Sequence, residues 1–219
     1  MKRSAILATL FLLAACSSSG TSDYSQFYRA LRQGVKAGFG NGRVTKAQAA
    51  AIPYASMGYR VDGGAEQLVV LATDANGEQL WTSAAHVVIV TRAGRIVRTV
   101  GLAHDVSAVT PKTGSQLPAI ADVLKGDVTY TRLEDFPNIP VYGAAITCRS
   151  SRKGAQTIVI LNRGVPTVRV DETCRSADLK WSFTDSYWLD RDGRMAWRSI
   201  QHLGSKGEIV ETEILRPPG

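Results

Sequence analysis

From residue 59 onward the apolar residues fall into a period of two, in short runs at roughly ten-residue spacing with turn residues between them. The strand-like runs are 67–73 (QLVVLAT), 78–83 (EQLWTS), 86–92, 95–102, 127–133, 141–149, 156–162, 167–174, 179–190, 194–202 and 208–215. Asn76-Gly77 and Ala93-Gly94 supply the positive φ that tight hairpins need. Gly154, Arg163-Gly164, Asp192-Gly193 and Gly207 mark the later turns. In 95–102 (RIVRTVGL) the apolar residues do not alternate cleanly, which implies a bulge. Residues 119–125 read as a short helix and 135–140 as irregular. Strands never alternate with long helices, which argues against a parallel doubly wound sheet. The expected fold is mainly β, an antiparallel barrel-like or sandwich-like sheet with short N-terminal helices.

Those helices fall between about residues 24 and 52. Over 24–39, Phe27, Leu31 and Val35 recur at helical spacing. A second, shorter helix starts at Thr45, an N-cap residue with Gln48 as its capping-box partner, and ends near Pro53. With 219 residues the chain suits one large domain, here 24–219.

The first sixteen residues, MKRSAILATLFLLAAC, are a targeting segment. Lys2 and Arg3 precede an apolar stretch of eleven residues, too short for the roughly 20 that a membrane-spanning helix takes. Leu13-Ala14-Ala15-Cys16 has the bacterial lipobox pattern, so residues 1–15 are expected to be removed and Cys16 to carry a diacylglycerol. Residues 16–23 then form a lipidated tether rich in serine. Ser17, in place of an Asp that retains lipoproteins at the inner membrane, predicts the periplasmic face of the outer membrane in a Gram-negative envelope.

Without residues 1–15 the chain keeps 24 Lys and Arg against 19 Asp and Glu, a formal +5 over 204 residues. The cations are scattered and no basic run occurs, which argues against nucleic acid as a partner. An acidic polysaccharide or anionic lipid head groups fit such a surface, and so does a merely solvated basic face. Cys148 and Cys174 remain after Cys16. An exported protein meets an oxidising compartment, which permits a disulfide between them worth about 3 kcal/mol, with two buried thiols as the alternative.

Catalytic spacing is absent. His86, His104 and His202 form no H-E-x-x-H, and neither a G-x-S-x-G elbow nor a nucleotide-binding glycine loop occurs. Nothing implies a metal or cofactor. The aromatic residues are more telling. Trp181, Tyr187, Trp188 and Trp197 share one C-terminal hairpin, and Trp81 lies on an earlier strand. They read either as core packing or as a sugar-stacking platform with Arg92, Arg98, Arg198 and Gln201 as hydrogen-bonding neighbours.

Two longer motifs bear a family resemblance. Residues 68–102, LVVLATDANGEQLWTSAAHVVIVTRAGRIVRTVGL, are similar to the core of the YjbF/GfcB lipoproteins, and YWLDRDGRMAWRSIQHL at 187–203 resembles that family's C-terminal element. Asp185 stands where the family pattern has Asn before the Tyr-Trp pair. The resemblance implies a mainly β, barrel-like protein anchored in the outer membrane that accompanies exopolysaccharide or group 4 capsule secretion. Its partners would be the glycan, a periplasmic companion or an outer-membrane β-barrel protein. It implies no enzyme activity. The resulting expectation is a protein that assists polysaccharide export or assembly, with Trp81, Arg92, Arg98, Trp188, Trp197, Arg198 and Gln201 as the contact set. A purely protein-binding scaffold lipoprotein, a polysaccharide-modifying enzyme and a lipid carrier are the rival readings.

Overall fold

The computed structural model describes residues 42–114, 116–204 and 208–219. The targeting segment, Cys16, the tether and the predicted helix over 24–39 lie outside these residues. Helix α1 (Lys46–Ala50) opens the described chain. Its N-cap is closed reciprocally: Gln48 N donates to Thr45 Oγ1 at 3.3 Å and Thr45 N donates to Gln48 Oε1 at 2.7 Å.

Twelve strands follow: β1 Ser56–Val61, β2 Gln67–Ala75, β3 Glu78–Thr82, β4 Val88–Arg92, β5 Arg95–Val100, β6 Ala108–Pro111, β7 Val128–Phe136, β8 Val141–Ile160, β9 Arg163–Ser176, β10 Trp181–Leu189, β11 Ala196–Leu203 and β12 Glu208–Arg216. They form one sheet in which every strand pairs antiparallel with its chain neighbours, except across β5 and β6, and β12 pairs with β1. Among the described residues the sheet is therefore an up-and-down barrel with a single seam, between β5 and β6. Two hydrogen bonds stitch the seam at one point: Thr99 N donates to Val106 O at 2.8 Å, and Val106 N to Thr99 Oγ1 at 3.0 Å. Further along the seam, a short 3-10 helix at Ile120–Leu124 packs Ile120 and Val123 against Val170, Tyr187 and Leu189. Near-closure removes most of the free strand edge that an open sheet exposes.

Turn chemistry sets the hairpins. Asn76-Gly77 (φ 55° and 76°) and Ala93-Gly94 (φ 48° and 85°) take the left-handed conformations that two-residue hairpin loops demand. The bulge expected in β5 is present: Val90 pairs with Arg98 but Thr91 with Ile96, so Val97 is the extra residue. Other expectations are corrected. The runs 141–149 and 156–162 are one twenty-residue strand, β8, and Gly154 (φ 125°) sits at a bulge within it rather than in a turn. The β8–β9 hairpin turns at Leu161-Asn162, not at Arg163-Gly164. Asp135 and Phe136 belong to β7, and His86 (φ 62°) lies in the turn before β4.

The main core gathers Met57, Tyr59, Val69, Trp81, Ile89, Phe136, Ile146 and Val210, among others. Cys148 and Cys174 face each other across β8 and β9 as a fully buried disulfide. A second layer lies on the opposite face of the sheet, where Ile158, Ile160 and Val165 pack against Trp188.

Candidate functional site

Within the barrel, period-two alternation brings charged side chains, not only apolar ones, to the inner face. Tyr130, Arg132 and Glu134 follow at every second position of β7, Glu172 comes from β9, Asp185 from β10 and Arg95 from β5. Glu172 is fully buried and accepts four hydrogen bonds: from Arg95 Nη2 (3.0 Å), Arg132 Nη1 (2.8 Å), the Tyr130 hydroxyl (2.8 Å) and the Ser150 hydroxyl (2.6 Å). Burial alone raises a carboxyl pKa, but the guanidinium groups of Arg95 and Arg132, with Ser150 and Tyr130, bring that of Glu172 down to about 2. Burial dominates at Glu134 and Asp185, whose carboxyls are pushed up despite Arg132 beside both. It also pushes the Tyr130 hydroxyl up to about 12. Asp185 meets His202 twice, accepting from its backbone N–H at 2.8 Å and lying 3.0 Å from its Nδ1. Two arginines thus face three carboxylates, with His202 at the rim. Glu172 also lies near both Cys sulfurs, but these are bonded to each other and offer no thiolate to a metal.

Sequence reasoning missed this network. The available signal was charge at the inward phase of a strand, Arg132 and Glu134 alternating with Thr131 and Leu133 in β7. A binding or exposed strand face shows the same local pattern, and only the non-local pairing to Glu172 distinguishes them.

The seven residues expected to form a contact set are not brought together. Trp81 is fully buried and its Nε1 donates to Thr91 Oγ1 at 3.1 Å. Gln201 is 2% exposed and fully engaged: Oε1 accepts from Ile96 N (2.9 Å) and the Tyr187 hydroxyl (3.2 Å), while Nε2 donates to Gly94 O (2.9 Å) and Ser199 Oγ (2.8 Å). Arg92 and Arg98 are surface residues that share Glu78. Trp188, Trp197 and Arg198 lie on β10 and β11, separated in the sheet from β4 by β3, β2, β1 and β12. Trp188 Nε1 donates to Gln156 Oε1 at 2.8 Å, and Arg169 and Arg198 flank its ring at 5.3 and 5.8 Å from the centroid. Arg198 pairs with Glu213 and lines a surface groove of about 390 Å³ with Arg43, Lys46 and Val159.

A cavity of about 540 Å³ opens at one end of the barrel. Its rim is made by the β2–β3 hairpin (Asp74, Gly77, Gln79), the β4–β5 turn (Ala93, Gly94), the β10–β11 connection (Asp190, Asp192, Arg194, Met195) with Ala196 at the start of β11, and Pro217 and Pro218 after β12. Met57, Thr91, Thr212 and Ile214 floor it. Gln79 Nε2 donates to Asp74 at 2.9 Å, and Arg194 Nη2 donates to Asp192 at 2.7 Å.

These features define a nearly closed, antiparallel twelve-stranded barrel braced from within by a buried charge network. The chain belongs to the YjbF family, whose description is "Group 4 capsule polysaccharide lipoprotein gfcB, YjbF"; the match spans residues 35–215. It is 27% identical over 220 residues to the uncharacterized lipoprotein YjbF of Escherichia coli (strain K12), covering 99% of this chain and 98% of that protein. It is 26% identical over 212 residues to the uncharacterized lipoprotein GfcB of the same organism, covering 94% of each. The crystal structure of the hypothetical lipoprotein YmcC from Escherichia coli (K12) has the same fold, with a TM-score of 0.71 at 25% identity over 92% of this chain and 99% of that one.

Proposed function

We propose that this protein assists export or assembly of an extracellular or capsular polysaccharide, as a barrel held by a lipidated Cys16 on the periplasmic face of the outer membrane. The family match over residues 35–215, to a lipoprotein named for group 4 capsule polysaccharide, carries the reading. The lipobox at Leu13–Cys16 supports the anchor. Two acyl signals or more hold a protein at a bilayer where a single chain does not. The interior network itself is not built as a glycosidase pair. Glycoside chemistry uses two carboxyl groups facing a sugar across about 5–10 Å. Here Glu134, Glu172 and Asp185 are buried and engaged with Arg95, Arg132 and His202.

The test is deletion of the gene followed by measurement of surface polysaccharide. Loss of the polysaccharide is expected, with recovery on expression of the wild-type chain and not of Cys16→Ser. Unchanged polysaccharide in the deletion strain overturns the reading. A pull-down from envelope extract separates the two modes of assistance: bound sugar marks glycan handling, and an outer-membrane barrel protein without sugar marks a scaffold.

A further inference from the structure

We infer that the cavity at the barrel end is a saccharide-binding site, and that it takes a neutral or amino-sugar segment in preference to a uronate. The inference rests on the polysaccharide reading above and assigns it a place. The volume of about 540 Å³ falls within the range of small-molecule sites, roughly 300–1,000 Å³. The lining has the two chemistries a pyranose ring presents. Met195 and the rings of Pro217 and Pro218 offer apolar surface to its C–H faces, over a floor of buried Met57 and Ile214. Asp74, Gln79 and Asp192 stand at the rim as acceptors and donors for its hydroxyl edges.

The walls are set before any ligand arrives. Gly94 leaves no room for a Cβ, which would meet the Ala196 Cβ at 2.5 Å, so the β4–β5 turn and the start of β11 are in close contact. Asp190 accepts from Met195 N at 3.3 Å and its own N–H donates to Met195 O at 2.9 Å, which closes the β10–β11 connection. A preformed site loses little freedom on binding.

Charge sets the preference. Among the described residues, Asp74, Asp190 and Asp192 line the cavity against a single cation, Arg194. A uronate carboxylate meets like charge there, whereas a neutral or aminated ring does not. This preference runs opposite to the overall basic balance of the chain.

The chain itself provides the probe. It has three methionines, of which Met57 and Met195 both line the cavity and the third is Met1. Full-length lipoprotein carrying 13C-methyl methionine is titrated with a partial acid hydrolysate of the producing cell's own extracellular polysaccharide. It is then titrated with neutral, amino-sugar and uronate tetrasaccharides. Saturable shifts of both the Met57 and Met195 methyl resonances are expected, with the uronate at least about tenfold weaker. In the Asp74→Asn, Asp192→Asn double variant the discrimination against uronate is expected to fall about tenfold at an unchanged thermal midpoint, since both side chains are exposed. No methyl shift with any probe at millimolar concentration overturns the site, and equal binding of the uronate overturns the selectivity. Loss of surface polysaccharide on gene deletion together with silent methyl resonances leaves the functional reading standing and removes this cavity from it. Saturable binding with unchanged polysaccharide does the reverse.

Discussion

The side-chain amide of Gln201 stands in for a missing strand beside Ile96. Among the described residues β5 has no full neighbour on its seam side, and the N–H of Ile96 donates to Gln201 Oε1 at 2.9 Å, while Gly94 O accepts from Gln201 Nε2 at 2.9 Å. A buried backbone N–H without a partner costs about 1–3 kcal/mol. Gln201→Leu leaves both Ile96 N–H and the Tyr187 hydroxyl without this acceptor. Urea denaturation is expected to show a loss of about 2–4 kcal/mol, and hydrogen exchange at Ile96 to accelerate ahead of the rest of β5. A change of less than about 0.5 kcal/mol, the scale of an ordinary surface substitution, counts against this role.

Glu172 is the centre of the interior network, since both buried arginines converge on it. Removing one partner of a buried ion pair leaves an uncompensated charge and costs about 3–5 kcal/mol. Glu172→Gln keeps the volume and is expected to lower stability by that amount in urea denaturation. Tyr130→Phe, which removes one donor to the same ionised carboxylate, is expected to cost less, about 1.5–3 kcal/mol. Equal effects for the two substitutions contradict the ranking.

The same network sets the response to pH. The Glu172 carboxyl titrates at about 2 in the folded protein against an ordinary value of 4.5, so folding favours its ionised form by about 3 kcal/mol. That contribution is complete above pH 4.5 and drains away as pH falls toward 2. Glu134 and Asp185 act in the opposite direction, because their raised values let the folded state take up protons first. Stability is therefore expected to hold or rise slightly as pH drops toward the carboxylate range, then to fall steeply below it. On the alkaline side Tyr59 and Tyr130, both at about 12, keep their protons when the unfolded chain loses them near 10. Stability is expected to decline from pH 10 toward 12, with tyrosinate absorbance appearing together with unfolding. A monotonic fall in the urea midpoint from pH 7 to pH 5 runs against the acid-side account.

Much of the architecture is legible locally, and what is not legible is non-local. The Thr45–Gln48 capping box, the Asn76-Gly77 and Ala93-Gly94 hairpins and the β5 bulge each depend on a few adjacent residues. Gly154 is ambiguous, because the positive φ that suits a turn also suits a bulge inside a long strand. Leu161 hides its turn, because a leucine with φ 48° is uncommon and Arg163-Gly164 next to it has better turn chemistry. The expected contact set failed to converge for a similar reason. Trp81 and Gln201 are polar-tipped residues whose partners, Thr91 and Ile96, satisfy them inside the barrel. Distance along the sheet, invisible to local pattern, separates Arg92 and Arg98 from Trp188, Trp197 and Arg198.

The Cys148–Cys174 bond joins adjacent strands 26 residues apart in sequence. In the chain-entropy account a loop of this length contributes about 3 kcal/mol through the unfolded state. The Cys148→Ala, Cys174→Ala variant is expected to lose about that much in urea denaturation. Both sulfurs are fully buried, so reductant is expected to act only on chains that have opened. Rapid reduction in native buffer, without a change in near-ultraviolet dichroism, contradicts that burial.

Trp188 distinguishes packing from sugar contact in the aromatic hairpin. The residue is 6% exposed, and its side chain packs against Ile158, Ile160 and Val165 with Arg169 and Arg198 beside the ring. A sugar platform presents a ring face to solvent, and here the neighbouring side chains occupy that space. Replacing a buried tryptophan by alanine costs about 3–5 kcal/mol. Trp188→Ala is expected to lower stability by about 3 kcal/mol or more and to release the indole hydrogen bond to Gln156. Below its new melting transition it is expected to bind saccharide as the wild type does, because Trp188 is not among the residues lining the cavity at the barrel end. A variant that keeps wild-type stability but loses saccharide binding would return Trp188 to the contact surface and move the binding site from the barrel end to its outer wall.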